Sequence, residues 1–185
     1  MLGPSGRTFY VSSKAVYVWV SSYRRYNRDE KAFTSSLYRL PLDGSAPSAI
    51  GVRGAPTDQF SFREDASDGK LNVLVRSEGG GDAMWNPEFS SGAMALLQLP
   101  LDELGDGDTE ARKRDYRDLP EPKGDGYNFQ NRFVGDYVLY GNGSGWGSQG
   151  ASKAEIVVAS VRRDDVTRIP LNHGVDRIDA LGRDA

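Results

Sequence analysis

A glycine-rich segment at residues 145–150 matches a nucleotide-binding pattern. Gly145-Trp146-Gly147-Ser148-Gln149-Gly150 fits G-x-G-x-x-G and follows a predicted strand. A dinucleotide site also needs a helix directly after the glycines, because the helix N-terminus holds the pyrophosphate. Residues 155–161, rich in Ile and Val, predict a strand instead. We therefore interpret the segment as a loop and expect no cofactor.

Acidic residues alternate at Asp106, Asp108 and Glu110, and carboxylate oxygens of this kind coordinate Ca²⁺. An EF-hand loop would need Gly at its sixth position and Glu at its twelfth, where this chain has Ala111 and Arg117. The sequence favours a solvated turn here, and it predicts no metal site.

His173 is the only histidine of the chain. Serine-type catalysis would place it beside a serine and a carboxylate, and metal sites usually use more than one imidazole. It lies in Leu171-Asn172-His173-Gly174, which reads as a turn. We therefore predict a structural role for His173, and no catalytic residue in the chain.

Two tryptophans outside the predicted strands are the candidate binding residues. Trp85 lies in Met84-Trp85-Asn86-Pro87-Glu88-Phe89, and Trp146 lies between glycines. Aromatic rings on polar loops often mark a binding surface, because they offer contact area at little entropic cost. A loop tryptophan can also fold back as a plug, and that alternative stays open. Trp19, within a predicted strand, is expected in the core.

Composition narrows the class of protein. The 185 residues are 38% hydrophobic and carry 23 basic and 26 acidic side chains, so the net charge is −3. The chain lacks the strong basic excess that is typical of nucleic-acid-binding proteins. The basic cluster Arg112-Lys113-Arg114 alternates with acidic residues, which indicates a solvated face. The absence of cysteine excludes a disulfide scaffold and thiol-ligated zinc. No apolar run reaches the roughly 20 residues of a membrane span, and the N-terminal residues do not read as a signal peptide.

A sequence repeat divides the predicted strands into similar groups. Leu40-Pro41-Leu42-Asp43 recurs as Leu99-Pro100-Leu101-Asp102, and a similar strand at 155–161 follows after a comparable interval. Alternating apolar runs and turn residues predict three cycles of four strands. The predicted strands are 8–13, 15–23, 37–42 and 48–53; 59–63, 70–77, 93–101 and 116–119; and 129–134, 137–140, 155–161 and 166–171.

The four-strand cycle predicts an all-β fold, and more specifically a β-propeller built of four-stranded antiparallel blades. We predict one propeller segment over residues 1–185, with blades at about 8–54, 57–122 and 127–174 and the start of a further blade at 175–185. A β-sandwich is the main alternative. Because a propeller closes with about four to eight blades, we expect either remaining blades in a longer chain or self-association, and we prefer the first.

Several motifs resemble a known family in order along the chain. They are Phe9-Tyr10-Val11-Ser12-Ser13, Leu37-Tyr38-Arg39-Leu40, Asp58-Gln59-Phe60-Ser61-Phe62-Arg63-Glu64-Asp65, Asp68-Gly69-Lys70-Leu71-Asn72-Val73 and Arg132-Phe133-Val134-Gly135-Asp136-Tyr137-Val138. Together they are similar to the bacterial secreted β-propeller family, which is distantly related to WD40 repeats. Asp58 and Phe62 depart from the Asn and Met of the family pattern. The resemblance implies a propeller outside the cytoplasm, and it carries no activity over to particular residues.

Two functions remain open from sequence. The preferred hypothesis is a non-catalytic propeller within a larger extracytoplasmic bacterial protein, which binds a protein or a glycan through blade-connecting loops. The alternative is the propeller part of a hydrolase whose catalytic residues lie outside this segment.

Overall fold

The computed structural model describes residues 6–21, 35–77, 93–123, 129–143 and 154–182. The chain divides into two compact units, Met1–Asp118 and Leu119–Ala185. Thirteen strands run through the described ranges: β1 (Gly6–Val11), β2 (Ala15–Ser21), β3 (Ser35–Pro41), β4 (Ser48–Val52), β5 (Phe62–Asp65), β6 (Lys70–Arg76), β7 (Met94–Pro100), β8 (Asp106–Glu110), β9 (Tyr116–Leu119), β10 (Phe129–Val134), β11 (Tyr137–Asn142), β12 (Ala154–Ser160) and β13 (Val166–Leu171). These ranges contain no helix with the length and hydropathy that a membrane span requires.

The strands form three sheets. Sheet A has the order β1-β2-β3-β4-β8, sheet B the order β5-β6-β7-β9, and sheet C the order β10-β11-β12-β13. Consecutive strands pair antiparallel, whereas β8 joins β4 in parallel. Sequence-adjacent strands therefore make most of the pairings, and the two exceptions are β8 beside β4 and β9 beside β7.

Short turns set the register of the hairpins. Ser12 Oγ accepts hydrogen bonds from the backbone N–H groups of Lys14 and Ala15, both at 3.0 Å, and this closes the β1–β2 hairpin. In the turn before β6, Asp65 Oδ1 accepts from the Ser67 N–H at 3.1 Å, and Gly69 adopts a φ of +60°. Such Asx-type turns with glycine at positive φ fix which face each strand residue occupies.

The core of the first unit lies between sheets A and B. Strand β2 of sheet A alternates buried and half-buried residues, whereas β6 and β7 of sheet B are buried along most of their length. The residues that face the core are almost wholly buried in both sheets. The cluster consists of Ala15, Tyr17, Trp19, Leu37, Ile50, Val52, Phe62, Leu71, Val73, Val75, Ala95, Leu97, Leu99, Ala111 and Tyr116. Trp19 and Phe62 meet edge to face, with ring centroids 6.2 Å apart, and Trp19 Nε1 donates to the Gly54 carbonyl at 3.2 Å. This buried indole ties the two sheets together.

Sheet C is supported by two segments of its own unit. Residues 120–123 follow one face, where Tyr140 Oη donates to the Pro120 carbonyl at 2.8 Å. On the backbone of β11, the Val175 N–H donates to the Asn142 carbonyl at 2.8 Å, and Ile178 is buried nearby in the chain. The second unit therefore gains its stability from segments outside the strands as well as from the sheet.

The structure confirms the all-β prediction, and its three open sheets of four to five strands follow the predicted order of strands. Two details were predicted wrongly. Residues 106–110 form strand β8 rather than a solvated turn, because backbone bonds to β4 override their low strand propensity. Residues 59–61 form a 3₁₀ turn, since Asp58 Oδ1 caps the Phe60 N–H at 2.8 Å. The described residues 175–182 belong to none of the thirteen strands, and the start of a further blade at 175–185 stays a prediction.

Candidate functional site

The two predicted binding residues lie outside the described residues. Trp85 falls between β6 and β7, and Trp146 falls between β11 and β12, together with the glycine-rich segment 145–150. In both sheets this is the connection between the second and third strands. By sequence position Trp85 and Trp146 therefore belong to corresponding connections, and their role as binding residues stays a prediction.

The structure describes the positions of the acidic residues and of the histidine that were considered as metal ligands or catalytic groups. Asp106, Asp108 and Glu110 are exposed on β8, and Glu110 pairs with Arg53 at 3.3 Å. Among the residues with described positions, no group of three or more His, Asp or Glu side chains could hold a metal ion. His173 is exposed on the turn after β13, with Nδ1 2.9 Å from the Gly174 carbonyl oxygen.

The basic cluster at 112–114 is paired with acidic neighbours. Arg112 Nη1 lies 3.1 Å from Glu103 Oε1, and Arg114 Nη2 lies 3.8 Å from the same atom. All three basic side chains of the cluster are exposed. These contacts agree with the prediction of a solvated charged face.

A group of polar side chains joins sheets A and B, and we call it the polar seam: Tyr10, Ser12, Tyr17, Arg39 and Glu64. Tyr10, Tyr17 and Arg39 are direct neighbours across β1, β2 and β3. Glu64, on β5, accepts a hydrogen bond from Ser12 Oγ, and its backbone N–H donates to Tyr10 Oη at 3.3 Å. Arg39 Nε donates to Tyr17 Oη at 3.3 Å. The seam therefore places one carboxylate, one guanidinium and two phenols within a single network.

Burial controls the chemistry of the central phenol. Tyr17 is fully buried, and this burial raises its pKa from 10.0 to about 12, with the Glu64 carboxylate acting in the same direction and Arg39 against it. Tyr17 is thus a neutral hydrogen-bond donor and acceptor at physiological pH. The rings of Tyr10 and Tyr17 stack with centroids 5.9 Å apart.

The seam is built for hydrogen bonding rather than nucleophilic attack. Ser12 Oγ already accepts two backbone N–H groups and donates to Glu64, so the hydroxyl is engaged on all sides. A serine nucleophile needs a positioned base such as imidazole, and the five residues of the seam include no histidine. The seam therefore fixes sheet B against the β1–β2 hairpin of sheet A.

Sequence reasoning missed the seam, although part of the signal was available. Ser13-Lys14 is recognisable in the sequence as a tight turn between two strands. A hairpin that closes at this turn places Tyr10 opposite Tyr17. Glu64 could not be assigned in this way, because its contact with Ser12 depends on how two sheets stack.

Sheet C holds a second buried polar group around Glu155. Its carboxylate is 7% exposed, forms an ion pair with Arg168, and accepts the Lys123 backbone N–H at 3.0 Å. Asn142 Nδ2 donates to the Pro122 carbonyl at 3.2 Å. These bonds hold segment 120–123 on the sheet, so Glu155 has a structural role.

The outward face of sheet A is apolar and open. Four large side chains on β1 and β3 are 41–65% exposed: Phe9, Val11, Tyr38 and Leu40. They lie in register with Val16 and Val18 of β2, which are half-buried. Sheet B differs, because Leu74, Met94 and Leu96 on its second face are buried as well.

Comparison of the chain with protein-family models, with curated proteins and with solved structures found no match.

Proposed function

We propose that this chain is a β-propeller-type interaction module, which binds a protein or a glycan through the connections between the second and third strands of its sheets. The observation that carries the proposal is the placement of those connections. They span 22–34, 77–93 and 143–153, at the same point of each four-strand meander. Most other connections within the sheets are short turns. Long loops that recur on a rigid frame are where binding residues concentrate.

The packing of the first unit supports a propeller-type arrangement. Strands β6 and β7 of sheet B are buried on both faces, as an internal blade requires. The open face of sheet A has the apolar character of a surface that packs against another sheet. Under this proposal the covering sheet is a further blade of a longer extracytoplasmic chain.

Substitution of the loop tryptophans tests the proposal. Trp85→Ala, Trp146→Ala and the double variant are compared with the unmodified chain for binding to an array of defined glycans and to extracytoplasmic proteins. Aromatic hot spots contribute 2 kcal/mol or more, so the double variant should lose about 30-fold or more in affinity.

Leu42→Ala is the matched control. Leu42 is 58% exposed and lies in the β3–β4 connection, at the opposite end of sheet A from the β2–β3 connection. We expect it to bind as the unmodified chain does, with the far-ultraviolet circular dichroism of all variants unchanged. Equal binding by the double tryptophan variant would refute the loop hypothesis.

A further inference from the structure

The edges of the three sheets share one property. A sheet edge presents unpaired backbone groups to solvent, and natural proteins discourage edge-to-edge pairing with charged residues or proline. The outer strands β1, β5, β9, β10 and β13 all follow this rule. They carry Arg7 on β1; Arg63, Glu64 and Asp65 on β5; Arg117 and Asp118 on β9; Arg132 on β10; and Arg168 with Pro170 on β13.

Strand β4 is the exception among the fourth strands of the meanders. Its sequence, Ser-Ala-Ile-Gly-Val, contains neither a charge nor a proline. It is the outermost strand of the β1–β4 meander, in the position that β9 and β13 occupy in sheets B and C. Left uncovered, β4 would be an uncharged edge open to pairing.

Strand β8 covers that edge and supplies the missing charge. Residues Asp106, Asp108 and Glu110 give β8 three carboxylates, and β8 becomes the outer strand of sheet A. With β8 in place, all six sheet edges in the described part of the chain carry charged residues. The covering strand comes from the β7–β9 connection rather than from the meander that it protects.

Backbone contacts, rather than side-chain burial, hold β8 in place. At one end Gly105 and Ala49 exchange two backbone hydrogen bonds, of 2.9 and 2.7 Å, and at the other the Ala111 N–H donates to the Gly51 carbonyl at 2.8 Å. The register shifts between these ends, and Gly107 has a φ of +94°. The ion pair of Glu110 with Arg53 is 42% exposed on both sides. Such an attachment is weak compared with that of the buried central strands.

We propose that β8 is a guard strand, which occupies the edge of β4 and prevents β4 from pairing antiparallel with β4 of a second copy of this chain. Two observations carry this proposal: β4 alone among the fourth strands lacks charge, and the strand that covers it is acidic and contributes little burial. The proposal does not depend on the proposed binding function, because it concerns the backbone of one sheet edge.

The Gly105→Pro variant should weaken the attachment of β8 to β4. Proline removes the N–H that Gly105 donates to Ala49, and Leu104, at φ −74° and ψ 125°, already has the backbone conformation that precedes proline. Gly105→Ala is the matched control, because it keeps the N–H and its added Cβ meets nothing within 4 Å. Hydrogen exchange of residues 106–111 should become about tenfold faster in Gly105→Pro, as for one lost backbone bond, and stay unchanged in Gly105→Ala.

Light scattering after size-exclusion chromatography then measures association. We expect Gly105→Pro to reach twice the mass of the unmodified chain as its concentration rises, with Gly105→Ala unchanged. Adding Ala49→Pro should return the mass to that of the unmodified chain. The Ala49 N–H faces β8 rather than β3, so this proline removes an edge donor without breaking the β3–β4 ladder.

Three outcomes would overturn the proposal. The first is a Gly105→Pro variant with faster exchange and unchanged mass. The second is association that Ala49→Pro does not reverse, which would assign it to another surface, such as the open face of sheet A. The third is unchanged hydrogen exchange of residues 106–111 in both Gly105→Pro and the double variant Gly105→Pro/Thr109→Pro. That result would show that β8 is firmly attached to β4, against the weak attachment inferred from its backbone contacts. If Ala49→Pro prevents folding, exchange of residues 48–52 in Gly105→Pro decides, since pairing through β4 must slow it as concentration rises.

Discussion

Removing the Tyr17 hydroxyl should destabilise the protein at neutral pH and stabilise it at high pH. In Tyr17→Phe the ring stays against Tyr10, but the hydrogen bond from Arg39 Nε to the hydroxyl is lost. Arg39 is half-buried, so water replaces part of that bond, and the free energy of unfolding should fall by about 1 kcal/mol at pH 7.

The pH dependence follows from the pKa of Tyr17, which burial raises from 10.0 to about 12. Between these values the unfolded chain ionises this phenol while the folded chain keeps it protonated, so its contribution is full below pH 10 and is lost as the pH rises towards 12. At 1.36 kcal/mol per pH unit, the loss is about 1.4 kcal/mol by pH 11 and about 3 kcal/mol at its limit. Tyr17→Phe has no such loss, and the two stability curves should cross near pH 11.

Urea unfolding followed by circular dichroism, at intervals from pH 7 to pH 11.5, measures the two curves. Other titrating groups are common to both proteins, so the difference between the curves isolates Tyr17. Tyr38→Phe is the control for the loss of an exposed phenol: its side chain is 45% exposed on the outward face of sheet A, and at pH 7 its free energy of unfolding should stay within about 0.5 kcal/mol of that of the unmodified protein. A difference between Tyr17→Phe and the unmodified protein that stays constant over the whole pH range would refute the reasoning.

Two further substitutions test the second unit. Gly141→Ala should lower the free energy of unfolding by about 1–3 kcal/mol, because its Cβ would lie 2.6 Å from Val175 Cγ2 and 2.8 Å from the Glu155 carbonyl oxygen. Gly105→Ala, with open space at the added Cβ, should change it little, and equal urea midpoints for the two variants would contradict this assignment. Glu155→Gln should cost about 1–2 kcal/mol, because the buried side chain loses the charge that pairs with Arg168, while Arg168 itself is 38% exposed and stays solvated. Glu110→Gln, whose ion pair is 42% exposed, should cost less than about 1 kcal/mol in the same urea titration, and a similar loss in both would show that burial does not matter here.

Local signals in the sequence predicted most of the fold. Val166–Leu171 and Phe129–Val134 form strands with the predicted bounds, because alternation and turn residues are local properties. Strand β8 could not be predicted in this way. Its Asp-Gly-Asp sequence disfavours a strand, and it forms one only because β4, which is distant in sequence, supplies the partner backbone.

The same distinction between local signals and long-range contacts applies to the candidate site. The cross-strand row of Tyr10 and Tyr17 follows from one turn, whereas the contact of Ser12 with Glu64 requires two sheets to stack at a given height. Ser12 and Asp58 lie within the motifs that resemble a propeller family. In the structure both cap local backbone, so their local contacts are structural.

The parallel pairing of β8 with β4 also sets an order of events during synthesis. Every antiparallel pair of sheet A joins neighbouring strands and can form as soon as both have been made. The partner of β4 ends at Glu110, and a ribosome adding about 5–20 residues per second needs roughly 3–12 s to reach it after Val52. During those seconds the edge of β4 in the nascent chain has no partner strand. Neighbouring chains that are being made on the same messenger RNA would have access to that edge in this interval.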